Sequence, residues 1–284
     1  MATSLLELPD LLIEPVVRAA LAEDLGRAGD ITSMACVPAG ARLSARFTSR
    51  QAGVSAGLAC VRLAVHALDP AARFEALIAD GSRLAPGDVL ARVEADARAL
   101  LGAERVGLNL LGRLSGVASL TARYVAAVAA TPARIVDTRK TTPGLRALEK
   151  YAVRCGGGMN HRFGLDDAVL IKDNHVAACG GVGPALAGAR QNLGHLVKIE
   201  VEVDSVAQLD EALQHRPDVI MLDNFTLADL REAVRRAAGR VVLEASGGVN
   251  LETVGAIAAT GVDVISVGAL THSAPVLDIG LDTE

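Results

Sequence analysis

From residue 134 onward the chain repeats one unit, a short apolar strand that ends in a polar residue and is followed by a helical segment. Such repeats predict parallel strands with right-handed crossovers, and polar side chains gathered at strand ends are typical of an α/β barrel. We find six repeats rather than eight, so we predict an incomplete barrel, or one with a further strand hidden between Gly156 and Met159. The predicted strands are Arg134–Asp137, Ala168–Ile171, Val197–Val203, Val219–Leu222, Val241–Leu243 and Val264–Val267.

An open doubly wound sheet is the alternative fold for these repeats. No Gly-x-Gly-x-x-Gly follows a first strand, so the sequence does not favour dinucleotide binding. The first hundred residues predict a separate small α+β domain, because helical spacing and strand alternation both occur there. Its predicted elements are helix Pro15–Leu25, a loop at Gly29–Ser33, strand Arg42–Arg50, helix Gly57–Leu68, strands Arg73–Ile78 and Val89–Val93, and helix Ala97–Leu111.

Composition excludes several classes of function. Hydrophobic residues make up 51% of the chain but aromatics only 2%, so the core is built from Ala, Val, Leu and Ile. Arg113 and Arg123 interrupt the longest apolar stretch, which argues against a membrane span, and the acidic N-terminus is unlike a signal peptide. We therefore expect a soluble cytoplasmic protein. With a net charge of −5 and no basic run, nucleic acid is not an expected partner.

The four cysteines, Cys36, Cys60, Cys155 and Cys179, are far apart in the sequence and form no Cys-x-x-Cys pair. Neither a disulfide framework nor a zinc site is indicated, and we expect buried, inert thiols.

A cluster of cations lies in the middle of this acidic chain. Arg139, Lys140, His161, Arg162 and Lys172 fall within fewer than forty residues, among turn-forming glycines. Only four of the 28 basic residues are lysines, and all four lie in this central part of the chain. Lysine and arginine are not interchangeable at a tight site, so these lysines are candidates for a functional ammonium group. The cluster predicts a strongly anionic ligand.

The later strands supply the complementary groups. Ser246–Asn250 and Gly268–His272 are glycine-containing segments after consecutive strands, a position where barrels commonly bind phosphate. Glu202 and Asp223 end neighbouring strands and would face the same mouth, as acid and base, as magnesium ligands, or as acceptors for sugar hydroxyls. Salt bridging inside the barrel is the alternative for any one of these acids, which include Asp204, Glu200 and Glu244.

Several motifs together resemble the quinolinate phosphoribosyltransferase family, and the similarity covers nearly the whole chain. The motifs are Glu23–Gly26, Gly29–Thr32, Ala103–Arg105, Asp137–Gly144, Lys150–Arg154, Gly156–Arg162, Leu170–His175, Glu200–Asp204, Leu222–Asn224 and Gly268–His272. Met159 and Asp166 occupy positions that we treat as variable.

The resemblance implies an N-terminal α/β sandwich domain at residues 1–112, joined by 275–284, and an incomplete six- to seven-stranded barrel at 113–274. It implies transfer of phosphoribosyl from 5-phosphoribosyl 1-pyrophosphate to quinolinate with decarboxylation, giving nicotinate mononucleotide, pyrophosphate and CO₂. Magnesium would be carried by the pyrophosphate substrate near Glu202 and Asp223, with no residue assigned as its direct ligand. The implied assembly is a homodimer with a shared active site, or a hexamer.

Residue roles follow from the resemblance by position. Quinolinate would be held by Thr138, Arg139, His161, Arg162 and Lys172, with Arg105 entering from the partner subunit. The ribose and pyrophosphate side would involve Lys140, Glu202 and Asp223, and the 5-phosphate would lie against Ser246, Gly247, Gly268 and His272.

Three other functions are consistent with parts of the pattern. A related phosphoribosyltransferase-like protein of molybdate transport would use another acceptor. A Schiff-base lyase would use Lys172 or Lys198 as its nucleophile. A sugar-phosphate binding protein would bind without turnover, which leaves Glu202 and Asp223 unexplained.

Overall fold

The computed structural model describes residues 7–284, which form two compact units that are each discontinuous in sequence. The first unit comprises the described residues up to Ala122, together with Thr141–Gly157 and Leu270–Glu284. The second comprises Arg123–Lys140 and Gly158–Ala269. The domain limits implied by the sequence, with boundaries at residues 112 and 275, stay a prediction.

The elements in the first part of the chain alternate between helix and antiparallel strand. They are α1 (Asp10–Leu25), α2 (Ile31–Cys36), β1 (Arg42–Ser49), β2 (Gly53–Val54), α3 (Leu58–Leu68), β3 (Arg73–Ala76), β4 (Arg83–Leu84), β5 (Val89–Asp96) and α4 (Ala97–Ala127).

From residue 134 strand and helix alternate regularly. The elements are β6 (Arg134–Val136), α5 (Arg146–Cys155), β7 (Val169–Ile171), α6 (Asp173–Cys179), α7 (Val182–Asn192), β8 (Ile199–Val203), α8 (Val206–His215), β9 (Val219–Asp223), α9 (Leu227–Ala237), β10 (Val242–Ser246), α10 (Val254–Ala258), β11 (Val264–Ser266), α11 (Ala269–His272) and β12 (Ile279–Thr283).

The first unit is built on a four-stranded antiparallel sheet in the order β12-β1-β5-β3. Strand β1 shows the predicted alternation up to Phe47, because Ala45 and Phe47 are buried while Ser44 and Arg46 are partly exposed; Thr48 and Ser49 are buried as well. A two-stranded sheet pairs β2 with β4. The C-terminal strand β12 pairs with β1 from Ala45 to Ser49, so the end of the chain completes a sheet begun near its start.

Five predicted element limits in this unit are wrong. Strand β3 ends at Ala76 rather than Ile78, and β5 continues past Val93 to Asp96. The helix α1 begins at Asp10, five residues before the predicted start, and includes Pro15, which removes one backbone donor but does not end the helix. The predicted loop around residue 31 forms α2, where the Asp30 side chain accepts a hydrogen bond from Ser33 N–H at 3.0 Å and caps the helix. The predicted helix ending at Leu111 continues to Ala127, and its glycines do not interrupt it.

Glycines in α4 allow the C-terminal segment to cross the helix at backbone distance. A Cβ atom on Gly116 would lie 2.0 Å from the Pro275 carbonyl oxygen, and one on Gly112 would lie 2.9 Å from that of Leu277. Leu277 N–H donates to the Gly112 carbonyl at 3.0 Å. Because glycine has no side chain, the backbone of α4 can lie directly against the backbone of the C-terminal segment.

A buried ion pair joins α4 to α5 within the same unit. The Glu149 carboxylate has no exposed side-chain surface and accepts hydrogen bonds from Arg113 Nη2 at 2.7 Å and Thr142 Oγ1 at 2.8 Å. The Arg113 guanidinium also donates to the carbonyls of Thr271 and Ala274. The buried charge is thus both paired and hydrogen-bonded, as its desolvation requires.

The second unit contains the predicted parallel sheet, with six strands in the order β6-β11-β10-β9-β8-β7. The further strand expected near residues 156–159 is reduced to a single parallel bridge between Met159 and Val136. Met159 N–H donates to the Ile135 carbonyl at 2.9 Å, and Asp137 N–H donates to the Met159 carbonyl at 3.2 Å. Met159 therefore extends the sheet beyond β6, the edge opposite β7.

One side-chain contact shows that this sheet is curled. His161 follows the Met159 bridge by two residues, yet its ring lies 3.0 Å from Glu200 on β8. In the strand order given above, β8 is five strand spacings of about 4.8 Å from Met159, which is about 24 Å in a flat sheet. Only a sheet rolled towards closure brings the two residues together, which confirms the incomplete barrel. Among residues 7–284, no helix is both long and apolar enough to cross a bilayer.

The crossing at Gly116 predicts a large effect of a single methyl group. We expect Gly116→Ala to lower the free energy of unfolding by about 2–4 kcal/mol, because backbone atoms must move to admit the Cβ. Gly102→Ala in the same helix is the matched control. Its Cβ would meet Leu68 Cδ1 at an ordinary 3.4 Å, so helix propensity should make it neutral or stabilising by up to about 1 kcal/mol. Thermal unfolding of both variants checks this, and equal effects would contradict the explanation.

Candidate active site

The strand register places the candidate carboxylates on one face of the barrel sheet. Side chains two residues apart on a strand point to the same face, so Glu200 and Glu202 share a face of β8. Glu202 and Glu244 are both in register with Met221, and Ser246 is in register with Asp223. Glu202, Asp223 and Ser246 are part-exposed near the carboxyl ends of their strands, whereas Glu200 and Glu244, which lie two residues before Glu202 and Ser246, are buried. The face therefore has a mouth layer and a buried layer.

The segment after β6 presents its basic residues to solvent. Arg139 and Lys140 are exposed, and Thr138 is part-exposed. Thr138 Oγ1 accepts a hydrogen bond from Lys140 N–H at 3.0 Å, which turns the chain sharply at the strand end. This turn brings two cations to the end of a barrel strand, as the sequence predicts.

Arg162 lies close to Arg139. Burial lowers the pKa of the Arg162 guanidinium from its usual value, and the charge of Arg139 lowers it further. Arg162 Nη1 donates to the Ala168 carbonyl at 3.0 Å, while its Nε is buried and has no hydrogen-bond partner in the part of the chain that the structure describes. Two neighbouring guanidinium groups, one with an unsatisfied buried donor, form a site suited to a carboxylate.

His161 points its ring into the barrel. Its Nε2 lies 3.0 Å from Glu200 Oε2 and 3.7 Å from Glu244 Oε1, and its Nδ1 accepts a hydrogen bond from Arg162 N–H at 2.7 Å. The backbone N–H of His161 donates to Asp137 Oδ1 at 2.9 Å. The sequence predicts that His161 binds quinolinate. In the structure, both nitrogens of its ring already contact protein groups.

Lys172 and Glu202, assigned to different substrates by the resemblance, form an ion pair with each other at 2.6 Å. Leu170 is in register with Glu200, so Lys172 continues on the face that carries Glu202. Lys172 N–H also donates to His175 Nδ1 at 3.0 Å, so this histidine holds the backbone at the start of α6. The pair gives the mouth one cation and one anion that can separate when charged ligands bind.

The loops after β9 and β10 interlock. Asn224 has a left-handed backbone with a φ of 54°, donates its side-chain amide to Asp223 Oδ2 at 2.8 Å, and donates its N–H to the Ser246 carbonyl at 2.9 Å. Gly247 has a φ of 90°, and a Cβ there would lie 2.2 Å from Asn224 Oδ1. Gly247 is therefore required both by backbone conformation and by the close approach of Asn224.

The remaining predicted residues are less fully placed. Gly268 follows β11 and is part-exposed. Arg105 and His272 belong to the first unit; Arg105 is exposed on α4, 3.8 Å from Glu104, and His272 Nδ1 lies 2.6 Å from Ser273 Oγ. Their roles stay predictions.

Sequence reasoning missed the groups that support the site from below. Asp137 is fully buried and accepts hydrogen bonds from Asn160 Nδ2 and His161 N–H, and no role was assigned to it. For Glu200 and Glu244 the sequence predicted only that some of the strand acids would lie inside the barrel, without saying which. Strand alternation was the available signal, because it places Glu200 two residues from Glu202.

The expectation of four buried thiols is wrong for two of them. Cys60 and Cys155 are buried, and burial raises the pKa of each to about 12, so they are inert. Cys36 and Cys179 are exposed, because each ends a short helix at the surface.

The buried acid layer predicts a pH-dependent stability. Burial, and then the charge of Glu200, raise the pKa of Glu244 from 4.5 to about 7. The folded protein holds this proton where the unfolded chain has lost it, so the contribution of Glu244 to stability falls as pH rises from about 5 to about 8. Glu244→Gln stays neutral, and we expect it to match the wild type near pH 5 and exceed it by about 1–3 kcal/mol near pH 8.

Thermal unfolding of wild type and variant at both pH values measures this difference. The exposed Glu252→Gln provides a control in which the difference from wild type should not depend on pH. A Glu244→Gln difference that is the same at both pH values would contradict the assignment.

Comparison with known proteins identifies the family of this chain. The family model described as the C-terminal domain of quinolinate phosphoribosyl transferase matches residues 117–282, and the N-terminal domain model matches residues 30–115.

Relatives in sequence and in structure agree. The nicotinate-nucleotide pyrophosphorylase (carboxylating) of Mycobacterium leprae (strain TN) is 50% identical over 271 residues, covering 94% of this chain and 95% of the relative. A probable nicotinate-nucleotide pyrophosphorylase (carboxylating) of Bacillus subtilis (strain 168) is 45% identical over 260 residues, covering 92% and 89%. The structure of the nicotinate-nucleotide pyrophosphorylase from Francisella tularensis matches with a TM-score of 0.94 and 36% identity over 100% of both chains. The chain therefore belongs to the quinolinate phosphoribosyltransferase family.

Proposed function

We propose that this protein transfers phosphoribosyl from 5-phosphoribosyl 1-pyrophosphate to quinolinate and releases CO₂, forming nicotinate mononucleotide for NAD biosynthesis. Family membership supports this pentosyltransferase activity. The observation that carries it in the structure is the juxtaposition of Arg139 and Arg162, with the buried Arg162 Nε lacking an acceptor among the described residues. A planar dicarboxylate satisfies two such guanidinium groups.

Quinolinate binding is assigned to the basic side of the mouth. Arg139 and Arg162 bind the carboxylates, and Lys172, released from Glu202, adds a third cation. Thr138 shapes the turn beside them, while His161 acts from behind Arg162. Holding the acceptor ring against the sugar in this way supplies most of the catalytic advantage of a reaction between two anions.

The sugar side is assigned to Glu202 and Asp223. As pyrophosphate departs, positive charge develops on the ribose ring, and carboxylates held at neighbouring strand ends stabilise it. Lys140 neutralises charge on the leaving group. We assign the 5-phosphate to Ser246, Gly247, Gly268 and His272, where glycine backbone N–H groups permit close approach.

The carboxylates present also fit magnesium. Glu202 and Asp223 offer the hard oxygen donors that this ion prefers, and both lie on the mouth layer of the same sheet face. Bound with pyrophosphate, the ion would supply charge neutralisation of the leaving group. The protein's own cations then have to orient the substrate rather than neutralise it alone.

Decarboxylation follows glycosidic bond formation. The quinolinate nitrogen forms its bond to the ribose carbon as the bond to pyrophosphate breaks, which makes the ring a pyridinium. The carboxylate next to that nitrogen leaves as CO₂, and its bonding electron pair stays on the ring carbon, stabilised by the adjacent positive nitrogen. A proton then adds to that carbon. The cationic ring is the electron sink, so the protein is required mainly to position its substrates.

The surroundings of Lys172 and Lys198 argue against the Schiff-base lyase alternative. Lys172 Nζ lies 2.6 Å from Glu202 and is 46% exposed, unlike a Schiff-base lysine activated in an apolar pocket or beside another cation. Lys198 precedes β8, at the amino end of the strand and away from the mouth layer, and is paired with Asp218 at 2.5 Å.

The activity is tested directly by mixing the pure protein with quinolinate, phosphoribosyl pyrophosphate and magnesium. We expect nicotinate mononucleotide and CO₂ in equal amounts, and Lys140→Ala should reduce turnover by about 10²-fold or more while leaving the unfolding temperature unchanged. No product across a broad pH range would refute the proposal. Faster turnover of another anionic acceptor would favour the molybdate-transport relative instead.

The arginine pair predicts a selective defect in acceptor binding. Arg139→Ala should raise the KM for quinolinate by about 10- to 100-fold, because a charge-assisted pair is lost, with little change in the KM for phosphoribosyl pyrophosphate. Arg134→Ala, which removes an exposed arginine at the opposite end of β6, is the matched control and should leave both constants unchanged. An equal rise in the KM values for quinolinate and phosphoribosyl pyrophosphate in Arg139→Ala would contradict the assignment of Arg139 to quinolinate alone.

We further propose a cytoplasmic homodimer whose site is completed by Arg105 of the partner subunit. Arg105→Ala and Lys140→Ala proteins should each be nearly inactive. Mixing them under conditions of subunit exchange should restore about one quarter of wild-type activity, because random pairing leaves one intact site in half of the dimers. Inactivity despite exchange, verified with differently tagged chains, would exclude a shared site.

A further inference from the structure

Two buried carboxyls beneath the mouth, Glu200 and Glu244, have no part in the reaction as proposed. His161, Glu200 and Glu244 place ligand-type atoms within 4.8 Å of one another inside the barrel. Glu200 and Glu244 are only 6% and 3% exposed, and the Oε1 atom of each has no hydrogen-bond partner among the residues that the structure describes. Buried acids without full hydrogen bonding are costly, so the cluster calls for a specific explanation.

The contacts of His161 define its tautomer. Nδ1 accepts a hydrogen bond from Arg162 N–H at 2.7 Å, so this nitrogen carries a lone pair and no proton. The ring proton is therefore on Nε2, which donates to Glu200 Oε2 at 3.0 Å. His161 is held as a neutral imidazole whose two nitrogens link Glu200 to the backbone of Arg162.

This tautomer argues against a metal ion in the cluster. A metal bound to Nε2 would require the proton to move to Nδ1, where it would oppose the N–H of Arg162. Glu200, the His161 ring and the Arg162 backbone N–H instead form a hydrogen-bonded chain of protein groups, with Glu244 3.7 Å from the ring.

The two carboxyls differ in their contact with the imidazole. Glu200 Oε2 lies 3.0 Å from His161 Nε2, whereas Glu244 Oε1 lies 3.7 Å away. The groups around Glu244 are Glu200 from β8, Asp137 from the end of β6, Ser266 from β11 and the His161 ring. Burial, and then the charge of Glu200, raise the pKa of Glu244.

We propose that Glu200 is a positioning residue of the acceptor site, which acts through His161 to fix Arg162. The inference rests on the proposed function, because it assigns Arg162 to quinolinate. The link runs from Glu200 Oε2 to the His161 ring and from Nδ1 to Arg162 N–H, while Arg162 Nη1 is held by the Ala168 carbonyl. Loss of the acceptor at Glu200 frees the imidazole and with it the backbone of Arg162.

Two substitutions separate the hydrogen bond from the charge. Glu200→Gln retains an oxygen that accepts from Nε2–H, and Glu200→Leu fills the space without an acceptor. We expect the dissociation constant for quinolinate, measured by calorimetry, to stay within about 3-fold for Gln and to rise about 10-fold or more for Leu. The KM for phosphoribosyl pyrophosphate should not change in either variant. The exposed Glu75→Gln in the first unit is the control and should bind like the wild type.

The tautomer gives a readout that is independent of activity. In ¹⁵N-histidine-labelled protein, with the His161 signals assigned by their loss in His161→Gln, the wild type and Glu200→Gln should show Nε2–H and an unprotonated Nδ1. Glu200→Leu should show a mixture of tautomers. A protonated Nδ1 in the wild type overturns the proposal, even if the Leu variant does not fold.

Equal quinolinate affinity in wild type and a folded Glu200→Leu variant also overturns it. Failure of the proposed function looks different, because the wild type itself would then bind no quinolinate while His161 still showed the Nε2–H tautomer.

Discussion

The contact between His161 and the carboxylates of β8 and β10 depends on the curvature of the barrel. A residue beside one edge of the parallel sheet reaches strands near the other edge, and only a rolled sheet allows this. Glu200 and Glu244 are buried, so their hydrogen bonds have to come from neighbouring protein groups such as the His161 ring.

Two layers of charge result from strand alternation. The buried layer consists of Glu200 and Glu244 with one imidazole between them, and the mouth layer carries Lys172, Glu202, Asp223 and Ser246 two residues further along their strands. The buried layer carries less charge than its two carboxyls suggest, because burial and the charge of Glu200 raise the pKa of Glu244. The mouth layer keeps its charged groups partly or fully exposed, where ligands can exchange partners with them. Since this layer holds one cation and two acids, the positive charge that favours anionic substrates comes from Arg139, Lys140 and Arg162.

Much of this fold can be predicted from the sequence because each barrel strand is a short apolar run closed by a polar residue. The six strands and the mouth positions of Glu202 and Asp223 follow from that pattern. The full length of α4 does not, since its glycines suggest breaks until the crossing of Pro275 and Leu277 explains them. The inward direction of His161 is equally hidden, because it depends on contacts between residues about 40 and 80 positions apart that only the rolled sheet creates. Local sequence patterns determine where helices and strands form. The direction of a side chain inside a rolled sheet depends on the whole sheet.

The pairing of β12 with β1 has a consequence for synthesis on the ribosome. The first unit acquires the last strand of its four-stranded sheet from residues 279–283, which are translated after every strand of the second unit. The second unit contains no residue beyond Ala269, so its own strands do not depend on β12. The unit that begins first is completed last, and until β12 has been made the β1 edge lacks its neighbour. Synthesis of β12, rather than emergence of the N-terminal residues, sets the moment at which that sheet becomes whole.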